Sequence, residues 1–449
     1  MVAKFGSCPV SARRCASGLP NARKLFENTY RVFRRPAEPL SFLSMPAIQL
    51  HHLRAFQLVA ATGGIRRSAD VLYRASSAVT RSVATLEASL GTQLFERKGR
   101  GMLLTAAGEV VRLRTQIIEA ELREVRDDAA RLGAREGYLV SGMDALFNER
   151  RLQVATMLAD VHHMPTVAQG MGMSQSAVSQ ALAKLEEGLG QSLFRRTARG
   201  MLPSDAGSRW IVRFNRVLVE LDHILADLAA LNGVLEGVVT VGALPLARTL
   251  VLPAAIASLV KKYPRVRVRS LESPYEELAA GLLSGRVDFV IGALRESAGR
   301  ELERTVLMQD SSAVIARADH PLARKRALSF DDFDPYPWVL SRADAPLRKS
   351  LDQFYREHGR TPPQAAVETG DLALLRGLLL SSDMLTVLSP HQLHYEIAAG
   401  QLAVLPFHAP GLSRQIGVTT RAGAHLSPAA KALLAELKDV AAAVQTAHK

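Results

Sequence analysis

The chain has 449 residues, of which 48% are hydrophobic and only 5% aromatic, and its formal net charge is +13. At about 100–200 residues per domain this length calls for three or four folded units. No apolar run approaches the roughly 18–20 residues of a membrane-spanning helix; the longest candidate, Leu372 to Leu380, is interrupted by Arg376 and Gly377.

Residues 1–47 hold eight Lys/Arg against two acids and are expected to form a basic, disordered tail, with Met45 standing just before the first ordered pattern as a second start position. Its Arg- and Ser-containing composition is superficially that of an organelle transit peptide, without the apolar stretch of a secretory signal. Both cysteines, Cys8 and Cys15, lie in this tail. That excludes a disulfide framework or cysteine metal site from the remainder and fits a cytoplasmic protein. Residues 48–135 hold fourteen Lys/Arg against nine acids, whereas 136–207 are near balance. The positive charge is thus concentrated toward the N-terminus, where a nucleic-acid-binding region would use it.

A shift of 99 residues brings two stretches into register without a gap. Ser77-Ala78-Val79 meets Ser176-Ala177-Val178, Leu86-Glu87 meets Leu185-Glu186, and Leu94-Phe95 meets Leu193-Phe194. The run Arg100-Gly101-Met102-Leu103 then meets Arg199-Gly200-Met201-Leu202. Over residues 53–108 there are 20 identities in 56 positions, which a duplication explains economically.

Each copy predicts the same local structure. In the first, Leu53, Phe56 and Val59 share a helical face, Gly63-Gly64 breaks the helix, and Ser68 to Leu72 makes a short second one. A third helix begins near Ser76, buries Val79, Val83, Leu86 and Leu90 on one stripe, and ends at Gly91. Two short helices around a tight turn predict a helix-turn-helix, and Leu94 to Thr105 reads as a β-wing.

The string Ser174-Gln175-Ser176-Ala177-Val178-Ser179-Gln180, followed by Leu185-Glu186, Leu189-Gly190 and Leu193-Phe194-Arg195-Arg196, resembles the DNA-binding signature of the LysR family of transcriptional regulators. The first copy resembles it as well, including Leu104-Thr105-Ala106-Ala107-Gly108 after the wing, and departs at Ser76 and Thr80. The second departs at Pro203-Ser204 and at His162-His163-Met164-Pro165. The likeness extends over about residues 48–440, and it implies double-stranded DNA as a partner.

Short polar side chains opening a recognition helix suit base-edge and phosphate contacts. The DNA-contacting candidates are Ser76, Ser77, Thr80 and Arg81 in copy one and Gln175, Ser176, Ser179 and Gln180 in copy two. Arg97, Lys98 and Arg100, and Arg195, Arg196 and Arg199, would place wing charges on phosphates. Two readings stay open: both copies touch DNA, or one is a packing module. His162 and His163 have no Cys, Asp or Glu cluster around them and read as a turn or surface pair, so no metal or cofactor is expected.

Beyond the second wing, Ile211, Phe214, Leu218, Leu221, Leu225 and Leu228 alternate by 3 and 4 as an a/d seam. The resemblance implies that this linker helix pairs two subunits, giving homodimers or homotetramers. A weaker seam follows the first wing at Val111, Ile118, Val125 and Leu132, on a helix expected to bridge the winged units.

From Gly237 the pattern becomes strand (Val238–Val241), helix (Ala247–Lys262), strand (Val266–Leu271), helix (Pro274–Ser284) and strand (Val287–Ile291), which predicts a doubly wound α/β sheet. A crossover at about Trp338 leads to helices near Pro346–His358 and Asp371–Leu380. A return at about Leu405 leads to a strand at Gln415–Thr420 and a last helix at Pro428–Val444. Two such lobes resemble the family's periplasmic-binding-protein-like effector domain. The expected organisation is a tail (1–47), a winged helix-turn-helix (48–108), a linker helix and connector (109–147), a second winged unit (148–207), a linker (208–232) and the effector domain (233–449). Lobe I is expected at about 237–338 and 410–445, and lobe II at about 340–405.

Ligands of such sheets lie beyond the strands' C-terminal ends. The candidates are Leu244 and Pro245, Arg295, Ser341 and Arg342, and Thr369, with Arg295 or Arg342 suited to a carboxylate. The strings Gly242-Ala243-Leu244-Pro245 and Gly292-Ala293-Leu294-Arg295 resemble members regulating sugar-binding-protein and aromatic-acid catabolic genes, so the effector class is a sugar or an aromatic or other organic acid. A transport solute-binding protein is disfavoured by the winged units and the missing secretory signal. An enzyme is disfavoured because no phosphate loop, nucleophile elbow, metal cluster or carboxylate pair sits in a fitting context.

Overall fold

The computed structural model describes residues 48–98, 101–133, 144–295 and 300–447; the basic tail, with Cys8 and Cys15, lies outside them. Copy one folds as α1 (Leu50–Thr62), α2 (Ile65–Leu72) and α3 (Ser76–Leu90), followed by the antiparallel hairpin β1 (Phe95–Lys98) and β2 (Gly101–Leu104), and leads into α4 (Ala106–Arg131). Copy two repeats it as α5 (Glu149–Val161), α6 (Met164–Gly170), α7 (Gln175–Leu189), β3 (Phe194–Thr197), β4 (Gly200–Pro203) and α8 (Asp205–Leu231). The stripes behave as their spacing demands: Leu53, Phe56, Val59, Val79, Val83 and Leu86 are buried, while Leu90 is half-buried. Gly91 (φ 66) and Gly190 (φ 63) end α3 and α7 in the left-handed conformation that favours glycine.

Conserving the same residues in both copies has visible causes. Glu87 Oε1 accepts from the backbone N–H groups of Leu94 (2.7 Å) and Phe95 (3.2 Å), and Glu186 Oε1 does so from Leu193 (2.7 Å) and Phe194 (3.3 Å). Each wing is therefore hung from its recognition helix by one carboxylate. Thr105 Oγ1 caps α4 through Gly108 N (2.9 Å), and Ser204 Oγ caps α8 through Gly207 N (3.0 Å), so the Pro203-Ser204 departure keeps the cap. A Cβ on Gly108 would lie 2.2 Å from the Leu94 carbonyl oxygen, and one on Gly207 2.0 Å from that of Leu193. The His162-His163 departure also keeps a turn. His162 (φ 60) ends α5, its carbonyl accepts from Met201 N (2.9 Å), and His163 Nδ1 lies 2.8 Å from Thr166 Oγ1.

The linker helices differ from expectation. The α8 seam is covered, but by α4 of the same chain: one hydrophobic core runs from Ile48 to Leu228 through both winged units and both long helices. The reason is that α4 carries its own buried row of Val111, Ile118, Leu122, Val125 and Ala129. Leu132, expected in that row, lies past the helix end and is exposed. The helices are antiparallel, since Arg114 pairs with Asp227 (2.7 Å) and Glu220 (2.6 Å), Glu121 with Arg213 (2.7 Å), and Asp128 with Arg209 (2.9 Å).

Lobe I is a five-stranded sheet of order β6-β5-β7-β14-β8, with β5 (Gly237–Ala243) parallel to β6 (Val266–Leu271) and β7 (Phe289–Ala293). The antiparallel members are β8 (Leu302–Ser311) and β14 (Ser413–Arg421). The helices α9 (Val251–Lys262), α10 (Tyr275–Leu283) and α14 (Pro428–Ala447) belong to this lobe, and the expected helix from Ala247 begins instead as a 3-10 turn, Pro245–Arg248. Lobe II comprises β9 (Ala313–Arg317), β10 (Trp338–Leu340), α11 (Pro346–Glu357), β11 (Ala365–Glu368), α12 (Leu372–Ser381), β12 (Thr386–Leu388), α13 (His394–Ala398) and β13 (Leu402–Val404). Its sheets are β12-β9-β13 and the parallel pair β10-β11. The first crossover is therefore at Ser312, not Trp338, which is buried inside lobe II. The cause is β8: it is mostly exposed, so it shows no alternating apolar pattern, yet it pairs along β14 and carries the chain to the lobe boundary.

Arg114, fully buried, joins α4, α8 and lobe I: besides Glu220 and Asp227, its Nη1 donates to the His425 carbonyl (2.6 Å) and lies 3.2 Å from His223 Nδ1. Burial and the Arg114 cation push His223 down to about 4, so its ring is neutral and accepts. A histidine lowered by folding costs stability as pH falls from about 6.5 through 4. His223→Gln should flatten that part of the stability–pH curve in urea titrations. Gly207→Ala should lower stability by about 1–3 kcal/mol, because the methyl must push a backbone carbonyl aside; a melt as high as that of the parent protein would contradict the close approach.

Candidate nucleic-acid interface and effector cleft

Each recognition helix is amphipathic across its width. On α3, Val79, Val83 and Leu86 face the core, and Ser76, Ser77, Thr80 and Arg81 are all exposed. On α7, Val178, Leu182 and Leu185 are buried, and Gln175, Ser176, Ser179 and Gln180 are exposed. Ser174 Oγ accepts from Ala177 N (3.1 Å), so α7 starts with its cap satisfied and its first turn free for contacts. Arg195 and Arg196 on β3 and Arg199 in the turn are exposed. An open groove lies between α7 and its wing, lined among others by Gln175, Ser176, Ser179 and Arg196. Arg97 and Lys98 lie on β1, opposite Met102 and Gly101, while Arg100 falls outside the described residues.

Several exposed groups at this surface carry no sequence signature. Arg66 and Arg67 on α2, and Tyr73 and Arg74 in the turn that leads to α3, are exposed, as is Arg81. Tyr73 holds φ 52 and is 96% exposed. The equivalent positions of copy two are Pro165, Thr166, Gly172, Met173 and Gln180, so the surfaces are alike in shape and unlike in charge. That contrast is readable only once the two helices are known to present the same face.

In the effector domain the predicted residues fall into three places. Leu244 packs on Gly292 at the ends of β5 and β7, and the turn Pro245–Arg248 touches the lobe II turn Pro390–Leu393, where Thr249 Oγ1 donates to the His391 carbonyl (3.3 Å). Ser341, Arg342 and Thr369 come together beyond β10 and β11, with Thr369 N donating to Leu340 O (2.9 Å). Arg295 does not join either group. Its guanidinium stacks over Tyr275 at 4.5 Å and pairs with Glu276 at 3.2 Å.

A fourth group was not anticipated. At the crossover, Asp310, whose side chain is fully buried, accepts from Ser389 Oγ (2.5 Å) and from Arg414 Nε (3.2 Å). Arg414 Nη2, Ser312 Oγ and Thr386 Oγ1 are buried without a hydrogen-bond partner among the described residues. The signal was the polar run Asp310-Ser311-Ser312 between two strands, which reads as loop until β8 and β9 are seen.

Residues 50–109 and 150–208 each match the family model for the bacterial regulatory helix-turn-helix protein, lysR family, and residues 232–442 match the LysR substrate binding domain. The HTH-type transcriptional regulator GalR of Pseudomonas putida is 45% identical over 392 residues, covering 87% of this chain and 97% of that protein. The chain belongs to the LysR family of transcriptional regulators. Other relatives of this LysR-type regulator align over less of it. GbpR of Azospirillum brasilense is 25% identical over 64% of this chain and 85% of its own, and a full-length OxyR from Pseudomonas aeruginosa shares the fold (TM-score 0.51, 23% identity) over 66% of this chain and 94% of that one. Accordingly, the regulator combines helix-turn-helix DNA binding with an effector-binding domain, and it is not an enzyme. Among the described residues no helix is long and apolar enough to cross a membrane.

Proposed function

We propose that both winged units of this cytoplasmic, homo-oligomeric regulator touch DNA and that an organic acid bound between the lobes modulates that contact. The observation that carries the DNA reading is the simultaneous exposure of the polar first turns of α3 and α7 beside exposed wing or turn arginines, while the opposite stripe of each helix is buried. Ser76, Ser77, Thr80 and Arg81, with Gln175, Ser176, Ser179 and Gln180, take the base-edge role. Arg97, Lys98, Arg100, Arg195, Arg196 and Arg199 take the phosphate role, joined by Arg66, Arg67 and Arg74. Footprinting Arg81→Ala/Arg97→Ala and Gln175→Ala/Arg196→Ala separately tests it. Each pair should weaken binding tenfold or more and erase protection on a different side of the site, since a good base contact contributes about 1–3 kcal/mol. The arginine pair should also lower the salt slope by about 1–2. A pair that leaves the footprint unchanged makes its copy a packing module.

For the effector, the orphan Nη2 of Arg414 and the hydroxyls of Ser312 and Thr386 at the lobe crossover favour an anionic oxygen ligand. Leu244 and Pro245, with Ser341, Arg342 and Thr369, would border it on either lobe, whereas Arg295 serves lobe I. A thermal-shift screen of aromatic and aliphatic acids against sugars checks the class; saturation to about 100 times Kd should add about 2.7 kcal/mol to stability. Arg414→Lys should keep the fold and abolish that shift. A sugar that shifts the parent and Arg414→Lys equally would overturn the assignment.

A further inference from the structure

The duplication does not stop at the wings. Carried on by 99 residues, it maps Arg114 onto Arg213, Glu121 onto Glu220, Leu122 onto Leu221, Asp128 onto Asp227 and Ala130 onto Ala229 along the two long helices. These residues then meet reciprocally: Arg114 pairs with Glu220 at 2.6 Å, and Arg213 pairs with Glu121 at 2.7 Å. Residue i touching the copy of j while j touches the copy of i is the contact pattern of a two-fold axis. A second contact obeys the same rule at the axis itself: Leu50 N donates to Glu149 Oε2 at 3.2 Å, and these are equivalent positions. The buried rows follow, Val111 with Trp210, Ile118 with Val217 and Val125 with Ile224 as equivalents, all inside one continuous core.

We infer that one chain of this regulator is a complete two-headed DNA reader, whose α4–α8 pairing inside the chain relates the two winged units by a pseudo-two-fold axis, so that it reads an inverted repeat of two unlike half-sites without a second chain. The pseudo-two-fold requires opposite orientations of the two half-sites, as a symmetric dimer does of a palindrome. Their unlikeness follows from the heads: Arg66, Arg67, Arg74 and Arg81 stand where the other head has Pro165, Thr166, Met173 and Gln180. Both wings carry phosphate-facing cations, but the first head adds Arg66, Arg67 and Arg74 to its own, whereas the second has neutral groups at those positions. Only α8 continues into a sensor domain, so one effector domain governs two heads, and further association of chains must use surfaces other than the α4–α8 seam. The DNA half of this inference rests on the reading that both heads touch DNA; the pairing within the chain does not.

The test separates the two. In the full chain carrying Cys8→Ser and Cys15→Ser, Glu124→Cys and Arg213→Cys replace an ion pair that spans the two helices (3.4 Å), and they give up the Arg213–Glu121 contact as well. A short bismaleimide, applied to a mixture of ¹⁴N- and ¹⁵N-labelled chains, should give products of one-chain mass with only same-isotope linked peptides. Products of two-chain mass, or mixed-isotope peptides, overturn the inference. Arg54→Cys with Asp144→Cys, across another ion pair joining the halves, repeats the measurement if the first variant unfolds. On DNA, reversing one footprinted half-site, which turns the inverted repeat into a direct repeat, should cost tenfold or more in affinity, and raising salt should release the first half-site before the second. Equal binding to both arrangements overturns the pseudo-two-fold reading. If only one head footprints while the cross-link still forms within the chain, it is the DNA assignment of the other head that has failed.

Discussion

Everything in this molecule is built around the antiparallel embrace of α4 and α8, and that embrace is keyed by one buried cation. Arg114 has no exposed surface, two carboxylates within 2.7 Å and a carbonyl of lobe I at 2.6 Å. Burial opposes its charge, but Asp227 and Glu220 more than offset this and hold its pKa above the usual value. Glu220 is itself pushed up by burial, against the pull of Arg114. A buried pair of this kind adds little over apolar packing, yet removing one member leaves a charge stranded at a cost of about 3–5 kcal/mol. It therefore acts on register: sliding α4 along α8 strands Arg114, and the two heads would lose their fixed relation.

The same cluster sets how the sensor meets the headpiece. Among its contacts with lobe I are those of Arg114 with the His425 carbonyl, of Arg216 Nε with the Leu283 carbonyl (2.5 Å) and of Arg286 with Asp160 (2.8 Å). Lobe II joins lobe I through the strand crossovers and the Asp310, Ser389 and Arg414 cluster. The crossover and the lobe I contacts with α4 and α8 are thus successive joints between lobe II and the winged units. Arg421, half-buried and held down in pKa by desolvation and by nearby Arg216, places the end of β14 in the same region.

Much of this was legible in the residues because it depends on local periodicity. Val79, Val83 and Leu86 predict both the helix and its hidden face, so the exposure of Ser76, Ser77, Thr80 and Arg81 follows by exclusion. β6 and α11 fall where their patterns place them, since each buries one side of a regular element. β8 was not legible: it is held by pairing with β14 more than a hundred residues away, and its own side chains are mostly exposed. Arg295 looked like a ligand group because it follows a strand, but a cation at a strand end also suits a neighbouring carboxylate and aromatic face, and only packing selects Glu276 and Tyr275. Arg414 was overlooked for the converse reason, since its partner Asp310 is 104 positions distant.

The residues by themselves determined that a winged unit occurs twice, that a two-lobed sensor follows, and which face of each recognition helix is polar, because helix period, caps and glycine turns act over a few positions. Tertiary structure alone decided what covers the α8 seam. An apolar stripe specifies that it must be covered, not by which chain, and the answer came from a second stripe 99 residues earlier whose Arg114 and Glu121 find their mirror partners only when the two helices lie antiparallel.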